Sequence, residues 1–139
     1  MQRNRVLIID EDLPRRLATE LDKRGRSAST VASLGFAGAT DPALLTDLTQ
    51  LGPVLEWVLV TGDDAMPWEH SDVIASTGAT IATVDPRRPD GVTQDAWRRD
   101  IVHRWGHAMQ LQEAGAVRRY SIASNRLWAP RKRHLALGS

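Results

Sequence analysis

Three short runs limit what this chain can become. "VLII" (residues 6–9), "EWVLVT" (56–61) and "ATIATV" (79–84) are rich in aliphatic and β-branched residues, the pattern of strands buried on both faces of a sheet. Each runs into acid: Asp10 with Glu11 and Asp12, then Asp63 with Asp64, then Asp85. Helical patterns fill the gaps. Leu13, Leu17 and Leu21 recur every fourth residue and Gly25 follows, so a helix is expected over residues 13–24. "DPALLTDLTQLG" reads as a helix with Asp41 as N-cap, Pro42 at the first helical position and Gly52 beyond the end. "WEHSDVIAST" gives a third helix, stopped by Gly78. Trp97, Ile101, Trp105 and Met109 mark one face of a long helix over residues 93–113. "SASTVAS" is a weak strand and "VRRYSI" a last one. Alternating strand and helix predicts an α/β fold, a three-layer α/β/α sandwich around a mostly parallel sheet. Residues 1–122 are expected to form that domain, with residues 123–139 as a basic tail.

In such a sheet the carboxyl ends of the strands share one edge, where open α/β folds place their ligands. Two carboxylates about 4 Å apart repel by roughly 1 kcal/mol in water and about 4 kcal/mol near a protein surface. Several acids at one edge therefore call for a cation. Hard oxygen ligands suit magnesium or manganese, and an ion so held can position a phosphodiester and lower the pKa of an attacking water. Each acid also has a purely structural use. Asp12 and Asp41 stand where helices begin, and Asp63 or Asp64 can close a turn before Pro67.

With 139 residues, 42% hydrophobic and 25% charged, the chain suits one domain with a sizeable core. No apolar run approaches the roughly 20 residues needed to span a bilayer, and "MQRNRVLIID" does not read as a signal peptide. Without cysteine there is neither a disulfide nor a thiolate metal site, and the expected compartment is the cytoplasm. The net charge of +1 hides an asymmetry: no acid follows Glu113, whereas Arg118, Arg119, Arg126, Arg131, Lys132 and Arg133 do. A basic end of this kind attracts phosphate or an acidic partner, or simply keeps a tail solvated.

"IIDEDLPRRLATELDKRG", "LGFAGATDPALLTDL" and "WVLVTGDDAM" follow one another in an order that resembles the short PIN-like nuclease domains. Those read approximately D-E-N-L-P at the first strand end, G-A-S-D-x-x-I-L at the next helix and V-L-V-T-x-D-x-D-F at a later strand end. The resemblance covers about residues 6–66. It implies a ribonuclease dependent on Mg2+ or Mn2+, often the toxin of a toxin and antitoxin pair. Carried over by motif, the metal ligands are Asp10 at the end of the first strand, Asp41, the acid at the helix start, and Asp63, the acid after the V-L-V-T strand. Asp12 replaces the usual asparagine as a supporting ligand, and Thr61 orients a carboxylate or a water through its hydroxyl. Asp64 stands in for the later acid of that element, whose usual positions hold Ala65 and Met66, and Arg26 replaces the usual histidine after the first helix. Arg15, Arg16, Arg118, Arg119 and Arg126 are the expected contacts to RNA phosphates. The implied partners are RNA and a small antitoxin, with no membrane; a homodimer is left open.

Two other classes compete. A receiver domain phosphorylated on Asp63 would use the same opening strand and the turn "DDAMP", but that fold needs a lysine near the end of its fifth strand. The chain's two lysines are Lys23 and Lys132. A non-catalytic binder would rely on the arginine-rich end, with Tyr120 and Trp128 as stacking platforms for bases or, for Trp128, packed against the last strand. His103 and His107, four apart, have a metal-compatible spacing but no evident third ligand.

Overall fold

The computed structural model describes residues 5–51 and 56–128. In chain order its elements are β1 (Val6–Ile9), α1 (Leu17–Lys23), β2 (Ala28–Thr30), a 3-10 turn (Ala32–Leu34), α2 (Asp41–Thr49), β3 (Trp57–Thr61), α3 (Met66–Glu69), α4 (Ser71–Thr77), β4 (Ile81–Val84), α5 (Gln94–Gln110), β5 (Val117–Tyr120) and β6 (Asn125–Leu127). One six-stranded sheet runs in the order β2-β1-β3-β4-β5-β6. The first five strands are parallel and β6 alone is antiparallel. The fold is thus α/β with a mostly parallel central sheet covered on both faces.

Alternation along the strands divides the core in two. Leu7, Ile9, Val58, Val60, Ala82, Val84 and Tyr120 face one side, packed with Leu17 and Leu21 of α1 and Ile101, Val102 and Met109 of α5. Trp97 and Trp105 lean on the same core, as the four-residue spacing on α5 predicts. Ile8, Leu59 and Ile81 face the other side, against Leu44, Leu45 and Leu48 of α2 and Ile74 of α4. All five residues of β3 are buried, so the central strand reads as a continuous apolar run rather than an alternating one.

Several boundaries differ from the sequence reading. α1 begins at Leu17, not Leu13: the Leu13 N–H donates to the Asp10 carbonyl (3.1 Å) in a turn that Pro14 follows. Thr40, in extended conformation, is the N-cap of α2, and Asp41 is its first helical residue with Pro42 next. The Asp41 carboxylate is therefore not engaged as a cap. The expected helix over "WEHSDVIAST" is two helices broken at His70, and left-handed Gly78 ends the second. The segment read as a tail from residue 123 starts with a strand: Arg118, Arg119 and Tyr120 pair with Leu127, Arg126 and Asn125. Gly52 and the cluster Arg131, Lys132 and Arg133 lie outside the described residues. Among the described residues no helix is long and apolar enough to cross a membrane.

Candidate functional site

The order β2-β1-β3 means that the chain leaves β1 for one side and returns to add β3 on the other. A crevice is expected at that reversal, beyond the carboxyl ends of β1 and β3, and the predicted acids emerge there. The Thr61 hydroxyl, fully buried at the end of β3, donates to Asp10 Oδ2 at 2.8 Å and lies 3.4 Å from Asp12 Oδ2. It also accepts from the Asp63 N–H (3.1 Å). Asp12 Oδ1 accepts from the Gly62 N–H (3.1 Å). One hydroxyl thus joins the carboxylates of the β1 loop to the backbone of the β3 loop, across 51 residues of sequence.

These acids feel one another. Burial, then the negative charges of Asp10 and Asp63, hold the Asp12 carboxyl above the usual carboxylate range, against the pull of the Gly62 N–H and Arg98. Burial followed by the same two charges raises Asp41, with His70 opposing. Asp10, Asp12, Asp41 and Asp63 therefore share one electrostatic environment with surplus negative charge. In donor chemistry this set fits a hard divalent cation, since every ligating atom is an oxygen. It is not a ready-made cage: among the described residues no three carboxylate or imidazole groups are gathered closely enough to hold an ion.

Asp64 does not join this group. Its Oδ2 accepts from Arg119 at 2.6 Å, and Arg119 also lies 3.9 Å from buried Asp85. Burial raises Asp64 despite the Arg119 charge. Burial also pushes Asp85 upward, but its hydrogen bonds from Arg87 and the charges of Arg87 and Arg119 outweigh that and lower it. Asp64 thus faces the β4 and β5 ends, whereas the Asp63 carboxylate accepts from the Ala65 N–H (3.1 Å) and closes the turn after β3, its charge reaching Asp12 and Asp41. Asp64, expected as a metal ligand, is instead paired with Arg119 beside Asp85, and its Oδ1 is buried without a hydrogen-bond partner among the described residues.

The expected phosphate contacts divide similarly. Arg119 is committed to Asp64, and Arg118 donates twice to Asn125 Oδ1 (3.1 and 2.8 Å) across the β5–β6 pair. Arg126 sits on β6, exposed. Arg15 and Arg16 are exposed beside the acidic loop. Tyr120 is no stacking platform: it is 1% exposed, and its hydroxyl donates to Gln112 Oε1 at 2.7 Å. Trp128 packs edge-on against Trp68 with ring centroids 6.1 Å apart. His103 Nε2 lies 3.3 Å from Glu20, which Arg99 also clamps, so this helix histidine joins α5 to α1.

Three contributors escaped the sequence reading. Arg98 of α5 donates to the carbonyls of Asp12 (3.2 Å) and Gly62 (3.0 Å), tying together the two acid-bearing loops. A Cβ on Gly62 would lie 2.6 Å from the Arg98 guanidinium carbon, so the close approach requires glycine. Glu11 Oε1 accepts from the Gly38 N–H (2.8 Å) and fixes the loop that delivers Asp41. His70, at the break between α3 and α4, places Nε2 3.6 Å from Asp41 Oδ2. The glycine after "VLVT" was the one available signal for Arg98, because a residue without a side chain beside a buried strand end marks a close neighbour.

Fold and site define a class: a doubly wound α/β domain with a cluster of acids at the carboxyl ends of β1 and β3, its switch point. No family model, curated protein or solved structure matches the chain.

Proposed function

We propose that the chain is a PIN-like endoribonuclease that hydrolyses RNA phosphodiester bonds with Mg2+ or Mn2+, acting as the toxin of a pair with a small antitoxin. The observation that carries the reading is the Thr61 hydroxyl held against Asp10 and Asp12 at the switch point, with Asp41 and Asp63 in the same field. Asp10, Asp41 and Asp63 would hold the ion, with Asp12 in support, once side-chain movement gathers them more closely than they stand here. When bound, the ion supplies charge neutralisation for the phosphate and a more acidic attacking water. Thr61 fixes the Asp10 carboxylate by its hydrogen bond and keeps the Asp63 loop in register with it. Arg98 holds the Asp12 and Gly62 loops at a constant separation, which preserves the spacing of the acids. Incubation with RNA and Mn2+ tests this: cleavage by the wild type and its loss in Asp10→Asn and Asp63→Asn are expected. Equal cleavage by all three proteins would refute the mechanism.

The strand order 2-1-3-4-5 is shared with receiver domains, which supports phosphorylation on Asp63 as a second reading. The residue that would have to replace the receiver lysine is Arg119, and its guanidinium is already engaged by Asp64. A stable acyl phosphate on Asp63 after treatment with a small phosphodonor would favour this reading over the nuclease.

A further inference from the structure

Beside the acids lies a cavity of about 390 Å³ between the start of α1 and the start of α5. Pro14, Arg15 and Arg16 line one wall, and Thr93, Asp95 and Arg99 the other. Three arginines thus face one acid. Arg99 is partly neutralised by its two hydrogen bonds to Glu20. Arg15 and Arg16 are exposed and make no side-chain hydrogen bond or ion pair among the described residues. The opposite wall is the first turn of a 17-residue helix, whose N-terminal N–H groups and dipole favour an anion. Thr93 has already taken the Ala96 N–H as its cap, so the arginines and not the cap provide most of the attraction.

We infer that this cavity is a binding subsite for a backbone phosphate of single-stranded RNA, next to the one that enters the acidic crevice. The identity of the ligand as RNA rests on the nuclease reading; the anion preference rests on the cavity itself. Location supports the pairing. Arg15 follows Asp12 by three residues, at most about 11 Å of chain. Arg98, in the turn between Asp95 and Arg99 on α5, holds the Asp12 carbonyl. The crevice and the cavity are thus built on one rigid junction of the β1 loop with α5. The acidic crevice would repel a phosphate in the absence of a cation, and an arginine-lined neighbour offsets that repulsion during binding. Asp95, the one acid on the wall, tempers the affinity.

The test uses a fluorescein-labelled 12-nucleotide oligouridine, anisotropy titrations in EDTA to prevent cleavage, and a series of salt concentrations. Arg15→Ala/Arg16→Ala is expected to weaken binding about 10-fold at 0.1 M salt and to reduce the slope of log K against log salt by about 1.4, two single-strand phosphate contacts. Asp95→Asn is expected to tighten it about 2-fold. An unchanged melting temperature shows that the double variant is folded. Unchanged affinity and slope in the folded variant would overturn the subsite, even if the wild type cleaves RNA. Arginine-dependent binding by a wild type that fails to cleave with Mn2+ would sustain the subsite while the nuclease reading fails. A dodecaglutamate peptide bound in place of RNA, with the same arginine dependence, would overturn the assignment to RNA.

Discussion

Replacing Asp12 by asparagine should stabilise the metal-free protein at neutral pH, although it removes a residue assigned to the site. The Asp12 carboxyl is held above the usual range first by burial and then by the charges of Asp10 and Asp63. A carboxyl raised in this way is penalised in the fold once ionised, so the penalty is absent below the unfolded carboxylate range and complete above the folded pKa. Asparagine keeps an oxygen to accept from the Gly62 N–H and loses the charge. Asp12 as a residue is exposed although its carboxyl is tucked against Gly62 and Thr61, so solvent screening keeps the expected gain from losing the charge small, about 0.5 kcal/mol. For a chain of 139 residues that raises the melting temperature by about 2 °C. Scanning calorimetry in EDTA at pH 7 measures it, and at pH 3 the two proteins should coincide. Salt separates the causes, because the repulsion is screened over about 8 Å at 0.15 M whereas the burial penalty is not; since burial leads, most of the gain should survive 0.5 M salt. Mn2+ should reverse the order, for a ligand at 100 times its Kd stabilises by about 2.7 kcal/mol. A variant less stable than wild type at pH 7 in EDTA, or a gain that persists at pH 3, would refute the electrostatic account. A wild-type melting temperature indifferent to Mn2+ would remove the cation from it.

Arg98→Ala should lower the melting temperature by about 3–7 °C, since two charge-assisted bonds at a partly solvated site are worth about 1–2 kcal/mol. Gly62→Ala should do the same by displacing the guanidinium, and the double variant should be no worse than Arg98→Ala; additive losses would show that the two act separately. Tyr120 is the chain's one tyrosine, so absorbance at the phenolate band reports it alone. Burial pushes its pKa up to about 12, and a titration midpoint near 10 in the folded protein would contradict its packing against Gln112. Glu20 is held below the usual carboxylate range by Arg99 first and His103 after it, so its contribution is complete above the unfolded carboxylate range and lost as pH falls through the folded pKa. Glu20→Gln should cost about 2–3 °C at pH 7 and nothing at pH 3; an equal loss at both would point to packing instead.

What could be read from the sequence was set by chain direction, and what could not was set by partners. Buried parallel strands announce themselves as apolar runs, and a parallel sheet sends all their carboxyl ends to one edge. Asp10, Asp12 and Asp63 could therefore be grouped without knowledge of any contact. Local chemistry misled at helix starts, because Asp41 next to Pro42 and Thr40 next to Asp41 are both acceptable N-caps, and only backbone geometry separates them. Charge was the least legible property. Arg118 and Arg119 look like free cations in a segment without acids, yet pairing with β6 and the approach of the β3 loop supply Asn125 and Asp64 as partners. Arg98 looked like an ordinary helix arginine, and its partners lie 86 and 36 residues away. A periodic pattern tells which face of a helix is buried, but not which loop that face meets. Of the five arginines expected to contact RNA, those left exposed once such pairings are removed, Arg15 and Arg16 beside the acids and Arg126 on β6, are a smaller and better-placed set than composition offered. The prediction moves accordingly from a basic tail to a basic pocket: truncation within the tail should affect RNA affinity less than the loss of Arg15 and Arg16, because only the latter stand on the junction that also carries Asp12.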